Sequence, residues 1–289
     1  MNFNVITPLT TKELLKTITE NQDINFRFGA GCTDLLVELK KEPVEGLTVI
    51  NLTQLTDDHF TSITSTNEGI RIGALATAHR IASNADLRNQ FPVLFEAANK
   101  HGSRQVRQVA TIGGNLCTAS PAGDMACALV ALEAHCEILS TNESVRTIPI
   151  GHFFTDVRKT DLKKDEILRS IVIPPMNGAH KAYSGFIKVG IRRSMECAVV
   201  SLAYHIQADE DDIITHAGIA IGSAAPTIKF TTSACEYLIG KKLSEIGASE
   251  SEEFAAKVLE YASPISDIRG SAWYRKQVLF NISKSIFEH

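Results

Sequence analysis

The order of its secondary structure is the feature that most restricts the fold of this chain. The first part alternates strands and helices, with helices at 12–20, 35–41 and 92–100 and a strand at 26–28. After residue 181 three strands follow in succession, AYSGFIKVG, CAVVSLAYHIQ and ITHAGIAIGS, and then three helices. Alternating elements are typical of α/β structure, and strands followed by helices of α+β structure. We therefore expect two domains of different architecture.

The stretch between these parts, IPPMNGAH at 173–180, predicts a linker because it holds two prolines and a glycine. A chain of 289 residues is long enough for two domains. In the last helix we expect Trp273, Val278 and Ile282 to pack inside the second domain.

Composition restricts the partners and the compartment. The net charge is −4, so there is no basic surface of the kind that nucleic acid or an anionic membrane attracts. No apolar run is long enough for a membrane span, and the N-terminus lacks the pattern of a signal peptide. The six cysteines form no CxxC pair and have no spacing typical of zinc or iron–sulfur sites. We expect reduced thiols, no metal site and a cytoplasmic location.

Two small-residue turns are candidates for binding phosphate. The first, Ala30 to Asp34, lies between a strand and a helix that Thr33 or Asp34 is expected to cap. The amides at such a helix start attract anions. The second, Thr111 to Asn115, contains paired glycines, which permit positive φ and close approach of a ligand. Either one alone is weak support, since glycine pairs are more often tight turns or bulges. Together they predict a diphosphate held from both sides, and hence a dinucleotide.

Short polar residues continue the second turn. Thr118, Ser120 and Asp124 suit contacts to phosphate, ribose or a ring. Asp124 also precedes the helix MACALVALEA and has the position of an N-cap. The two roles are compatible.

Several motifs carry a family resemblance. AGCTDLL, IRIGALAT and QVRQVATIGGNLCTASPAGD resemble the FAD-binding subunit of the molybdenum hydroxylases, which include xanthine, nicotinate and carbon monoxide dehydrogenases. The segments EILRSIVIPP, FIKVGIRRSMECAVVS, GSAAPT and PISDIRGSAWYR extend the resemblance in order over nearly the whole chain.

The resemblance implies an α+β protein. Its N-terminal FAD-binding domain (PCMH-type) would span 1–175 and comprise two α/β subdomains, at about 1–55 and 56–175. Its C-terminal domain, 176–289, would combine a three-stranded antiparallel sheet with a helix bundle.

The resemblance also implies the site. The two turns would hold the FAD pyrophosphate, Thr118 and Asp124 would bind the ADP half or support its loop, and Leu168 and Lys188 would line the flavin ring. A lysine there would stabilise the anionic reduced flavin, whereas the sequence alone favours a solvated strand residue. No catalytic residue is implied. The candidate FAD-binding residues are Ala30, Gly31, Cys32, Thr33, Asp34, Leu35, Ala74, His101, Thr111, Ile112, Gly113, Gly114, Asn115, Thr118, Ser120, Asp124, Leu168 and Lys188.

Two of these positions have alternative interpretations. Cys32 stands where the family usually has the second glycine of AGGTD, so a positive φ there would strain it by about 1–2 kcal/mol. We expect the position to tolerate a side chain. His101 occupies a position where some relatives place an aromatic residue against the flavin, but it also suits the C-terminal end of a helix before Gly102.

The resemblance implies an electron-transfer subunit that works with partners. An iron–sulfur subunit with [2Fe–2S] clusters and a large molybdopterin-binding subunit would supply electrons, and NAD⁺ would be the usual acceptor. The holoenzyme would resemble a xanthine (purine) or nicotinate dehydrogenase. Two alternatives stay open: an independent FAD-dependent oxidase and a non-catalytic assembly subunit.

Overall fold

The computed structural model describes residues 2–176, 181–192 and 195–288. The predicted linker starts inside a strand at Ile173, and its residues 177–180 lie outside these ranges, as do residues 193 and 194 of the segment FIKVGIRRSMECAVVS.

The first subdomain is a three-stranded parallel sheet, in the order β1-β3-β2, with two helices. Helix α1 begins where Thr10 accepts a capping hydrogen bond from the Glu13 amide, and its apolar residues are buried as the spacing predicts. The elements are β1 (Asn4–Ile6), α1 (Thr11–Glu20), β2 (Phe26–Gly29), α2 (Leu35–Lys41) and β3 (Thr48–Asn51).

The second subdomain is built on a five-stranded antiparallel sheet in the order β4-β5-β10-β6-β7. Most of its helices lie in the long connection between β5 and β6. The predicted helix at 92–100 is confirmed, with Pro92 at its first turn. The elements are α3 (Asp58–Thr61), β4 (Ile63–Thr66), β5 (Gly69–Gly73), α4 (Ala78–Ile81), α5 (Ala85–Gln90), α6 (Pro92–Lys100), α7 (Arg104–Val109), α8 (Ile112–Cys117), α9 (Asp124–Ala131), β6 (His135–Ser140), β7 (Val145–Pro149), α10 (Ile150–Phe153), β8 (Phe154–Asp156), β9 (Lys159–Thr160) and β10 (Glu166–Ile173).

The C-terminal part has the predicted strands and helices, but its sheet has four strands and not three. The extra strand, Lys229–Phe230, pairs with the third long strand and is too short to produce a periodic pattern. The elements are β11 (Lys181–Val189), β12 (Val200–Ala208), β13 (Ile214–Gly222), β14 (Lys229–Phe230), α11 (Thr232–Leu238), α12 (Ala248–Leu259) and α13 (Ala272–Ser285).

The C-terminal sheet packs directly on helices α6 and α9 of the second subdomain. Phe186, Ala203 and Ala220 of this sheet belong to the same buried cluster as these helices. The Phe186 amide donates to Glu96 Oε2 at 3.0 Å, and the Lys100 ammonium donates to the Phe186 carbonyl. Strand β11 is therefore fixed against the end of α6.

Helix α13 buries Leu279 and places Val278 and Ile282 against the core of the C-terminal domain. The prediction for Trp273 is wrong, because its side chain is 71% exposed in the first turn of this helix. Across the described ranges, every helix is too short or too polar to cross a bilayer.

Candidate functional site

A cleft between the two N-terminal subdomains collects most of the predicted site residues. One wall consists of β2, the following loop and α2, and the other of the loop after β5, α8 and β10. The predicted residues that line the cleft are Ala30, Gly31, Cys32, Thr33, Asp34, Leu35, Ala74, His101, Thr111, Gly113, Gly114, Asn115, Thr118 and Leu168.

The first loop exposes a row of backbone donors. The amides of residues 31–35 donate no hydrogen bond to any other described part of the chain. Cys32 has φ +55°, in the left-handed region, so it does occupy the strained position that glycine would favour. Successive free amides around a left-handed residue form a concave anion site. The predicted capping by Thr33 or Asp34 is wrong, because α2 begins without a side-chain cap.

The second segment is not the open, positive-φ turn that the glycine pair suggests. Gly113 and Gly114 lie in the first turn of α8, and neither has a positive φ. Their amides are already bonded: Gly113 donates to the Ala74 carbonyl at 2.8 Å, and Gly114 donates to the Thr111 hydroxyl at 3.0 Å. The amides of this pair are therefore not available to an anion.

The two glycines instead provide clearance. A Cβ at Gly113 would lie 2.7 Å from both Cβ and the carbonyl oxygen of Ala74, so a side chain would push α8 away from β5. A Cβ at Gly114 would meet only Thr111 Oγ1, at 3.0 Å, so this glycine leaves its side of the cleft open. Gly113 is required for packing, and Gly114 for space.

Side-chain donors take the place of these amides on the second wall. Asn115 Oδ1 accepts from the Ala126 amide at 3.1 Å, which turns the Asn115 NH₂ group toward other partners. Within the described chain, neither this NH₂ group nor the hydroxyls of Thr33 and Thr118 hydrogen-bond to protein. The cleft thus offers uncharged donors from both walls.

The rest of the cleft is largely apolar. The side chains of Leu168, Phe28 and Phe60 form part of this surface, which suits a flat aromatic ring. Donors on one part of the cleft and apolar side chains on another fit a diphosphate joined to a ring system. The sequence interpretation missed the lining residues Arg27, Phe28, Glu38, Leu52, Phe60, Leu75, Ala110, Cys117, Leu162 and Ile167.

Asp124 and Lys188 lie behind the wall of the cleft and not on it. Asp124 is the first residue of α9, where Gly123 occupies the cap position and no side chain caps, so the capping interpretation is wrong. Asp124 Oδ2 lies 2.7 Å from Lys188 Nζ, and their side chains are 4% and 5% exposed. Lys188 also donates to the Lys100 carbonyl at 3.2 Å. His101 does line the cleft, with Nδ1 3.6 Å from the same Asp124 oxygen.

Two other predicted residues have structural contacts. Ile112 is fully buried in the core beside the cleft. The Ser120 hydroxyl accepts from the Ala122 amide at 3.2 Å and so shapes its own loop.

The Cys32 thiol in the cleft is protonated at neutral pH. Burial raises its pKa above its usual value. All six cysteines are free, and the described part of the chain holds no group of three side chains arranged for a metal. The Cys32 thiol is therefore a poor nucleophile at neutral pH.

Two family matches together cover most of the chain. Residues 1–176 match the FAD binding domain in molybdopterin dehydrogenase, and residues 186–289 match the CO dehydrogenase flavoprotein C-terminal domain. The chain is 30% identical to the glyceraldehyde dehydrogenase medium chain of Sulfolobus acidocaldarius, over 99% of this chain and 97% of that one. It is 28% identical to the nicotinate dehydrogenase FAD-subunit of Eubacterium barkeri, over 99% and 95%.

The fold is also similar to solved structures. A chain of the carbon monoxide dehydrogenase of Hydrogenophaga pseudoflava that lacks the Mo-pyranopterin moiety superposes with a TM-score of 0.90 at 23% identity, over 99% of this chain and 96% of that one. A chain of quinoline 2-oxidoreductase from Pseudomonas putida 86 gives a TM-score of 0.88 at 23% identity, over 99% and 96%.

Proposed function

Because this chain belongs to the family of FAD-binding subunits of molybdenum-dependent dehydrogenases, we propose that its FAD occupies the cleft between the two N-terminal subdomains. The chain is a flavoprotein and an oxidoreductase subunit. The observation that carries the location is the row of amides at residues 31–35, which donate to no other described residue and lie beside a largely apolar cleft.

Each wall has a separate part in binding. The amides of residues 31–35 surround the diphosphate, and Asn115 and Thr118 donate to it from the opposite wall. Phe28 and Leu168 belong to the apolar surface against which a ring system packs. Bound FAD supplies the ability to accept electrons singly and to release them as a pair. The protein orients the cofactor and limits the access of water.

We further propose that this subunit transfers electrons within a larger complex. Its relatives are named medium chains or FAD-subunits of dehydrogenases, which supports partners that hold an iron–sulfur cluster and a molybdopterin cofactor. The cysteines of this chain are not spaced as ligands of an iron–sulfur cluster. This supports a cluster held by another chain. NAD⁺ is the proposed acceptor, and a purine such as xanthine, or nicotinate, is the proposed substrate of the complex.

The location of FAD is tested by Gly114→Val. A branched side chain at this point fills the open side of the cleft, so the purified variant should lose flavin while its circular dichroism stays native. Gly151→Val is the matched control, because Gly151 also lies in a short helix and a Cβ there has no neighbour within 4 Å. Retention of stoichiometric FAD by Gly114→Val would place the cofactor elsewhere.

The proposal that a partner subunit oxidises the substrate is tested with the isolated chain. Mixed anaerobically with NADH, the FAD-loaded chain should show slow bleaching of its flavin absorption. Mixed with xanthine or nicotinate alone, it should show none. Rapid bleaching by either substrate without any partner would support the independent oxidase instead.

A further inference from the structure

We propose that Glu38 fastens the two walls of the cleft together and sets the rate at which FAD leaves it. This inference rests on the proposed location of FAD. Glu38 lies on α2 and lines the cleft from the first subdomain. Its carboxylate is bonded to one arginine from each wall, Arg27 at 11 residues and Arg158 at 120 residues from it in the chain.

The two oxygens of Glu38 have different partners. Oε2 accepts from Arg27 Nη2 at 2.9 Å, and Arg27 lies on β2 in the same subdomain and also lines the cleft. Oε1 accepts from Arg158 Nη1, and Arg158 lies at the turn between β8 and β9 in the second subdomain. The pair Glu38–Arg158 is therefore a bridge between subdomains at the edge of the cleft.

The backbone of Arg158 is itself anchored to the second wall. Its amide donates to the Ala119 carbonyl at 3.0 Å, one residue after Thr118. Its φ is +56°, in the left-handed region. The ion pair thus connects α2, through the backbone of Arg158, to the loop that carries Thr118.

The two subdomains are also joined by an apolar cluster. Ile50, Leu52 and Leu55 of the first subdomain form one buried cluster with residues of the second, among them Phe60 and Ile167. This apolar contact is permanent, because opening it would expose a buried surface to water. The Glu38 bridge is the more easily opened of these two connections, since its side chains are between one-third and about one-half exposed.

We expect the bridge to affect the rate of FAD release more than the free energy of unfolding. Burial alone would raise the pKa of Glu38, but the hydrogen bonds from Arg27 and Arg158 hold it below its usual value, so the carboxylate stays charged. A partly exposed ion pair contributes little to the free energy of unfolding. A ligand enclosed behind it still depends on its opening, and salt that screens the pair should speed that opening.

The test measures FAD release from the loaded full-length chain, by the rise of free-flavin fluorescence after dilution, at low and high ionic strength. The variants are Glu38→Gln, Arg158→Asn and the double variant; asparagine is chosen because it tolerates the left-handed backbone. Glu252→Gln, which breaks the Lys284–Glu252 pair in the C-terminal domain, is the control.

We expect each single variant to release FAD about two- to fivefold faster than the wild type. The double variant should be no faster than Glu38→Gln, and added salt should accelerate the wild type but not the double variant. Unchanged release by Glu38→Gln, or additive effects of the two substitutions, would overturn the bridge. Loss of flavin from Gly114→Val in the same series would then show that only the bridge, and not the site, is wrong.

Discussion

Lys188 Nζ lies 2.7 Å from Asp124 Oδ2 although 64 residues separate them in the chain, and almost none of either side chain is exposed. This buried pair links β11 of the C-terminal sheet to the start of α9. The same carboxylate oxygen lies 3.6 Å from Nδ1 of His101, which faces the cleft. The C-terminal domain therefore supports the wall of the cleft from behind.

We expect Lys188→Met to lower the free energy of unfolding by about 3–5 kcal/mol, because it leaves the Asp124 carboxylate buried without its cation. Adding Asp124→Asn to it should recover part of this loss, since the double variant has no buried charge. Denaturant unfolding of the three proteins measures both effects. Glu20→Gln, in the exposed Lys16–Glu20 pair, is the control and should change stability by less than about 0.5 kcal/mol. Equal losses in the single and double variants would contradict this account.

Cys32→Gly should make the protein more stable by about 0.5–1 kcal/mol. Relief of the left-handed strain contributes about 1–2 kcal/mol, and the greater freedom of glycine in the unfolded chain removes about half of it. Cys32→Ala keeps the Cβ and the strain, so it should give no gain. Urea midpoints for the two variants distinguish strain from loss of the thiol. A more stable alanine variant would refute the argument from strain.

The sequence was sufficient for features that depend on neighbours in the chain. The helix at 92–100 follows from a proline at its start and a regular apolar spacing, and the first loop follows from its position between a strand and a helix. The sequence did not reveal the role of Gly113, because a glycine needed for positive φ and a glycine needed for clearance look the same in a sequence. Only the distance to Ala74 separates the two.

Contacts between distant residues were equally hidden. Asp124 has the sequence position of a helix cap. Nothing in the neighbouring sequence indicates that it pairs with Lys188, which lies 64 residues away. Arg27 and Glu38 were missed for the same reason, since charged residues on a short strand and helix are usually solvated.

Gly31→Ala should weaken FAD binding by at least about tenfold, or 1.4 kcal/mol. A Cβ at this position would lie 2.0 Å from the Val109 carbonyl oxygen and 2.9 Å from the Ala110 Cα, both backbone atoms that cannot move aside cheaply. The loop would shift and its amides would lose their common direction. Titration of the apoprotein with FAD measures the change, with Gly151→Ala as control. Wild-type affinity in Gly31→Ala would mean that this loop does not hold the diphosphate.

His205 should make stability depend on pH in a specific window. Its ring on β12 is 2% exposed, its Nδ1 has no partner among the described atoms, and Nε2 lies 3.1 Å from the Gln207 amide nitrogen. Burial, and to a smaller extent the electrostatic effect of the nearby His216, lowers the pKa of His205 from 6.5 to about 4. Between these values the unfolded chain binds a proton that the folded protein does not.

The stability from this residue is therefore complete above pH 6.5 and is lost as the pH falls toward 4, by about 3 kcal/mol in total. His205→Phe keeps an aromatic ring beside Phe91, whose centroid is 5.9 Å away, and removes the titration. Its free energy of unfolding should fall less than that of the wild type between neutral and mildly acidic pH. Substitution of the exposed His59 by glutamine should leave the wild-type slope unchanged. If His205→Phe retained that slope as well, the acid sensitivity would have to come from another group, because the buried imidazole would then contribute nothing to it.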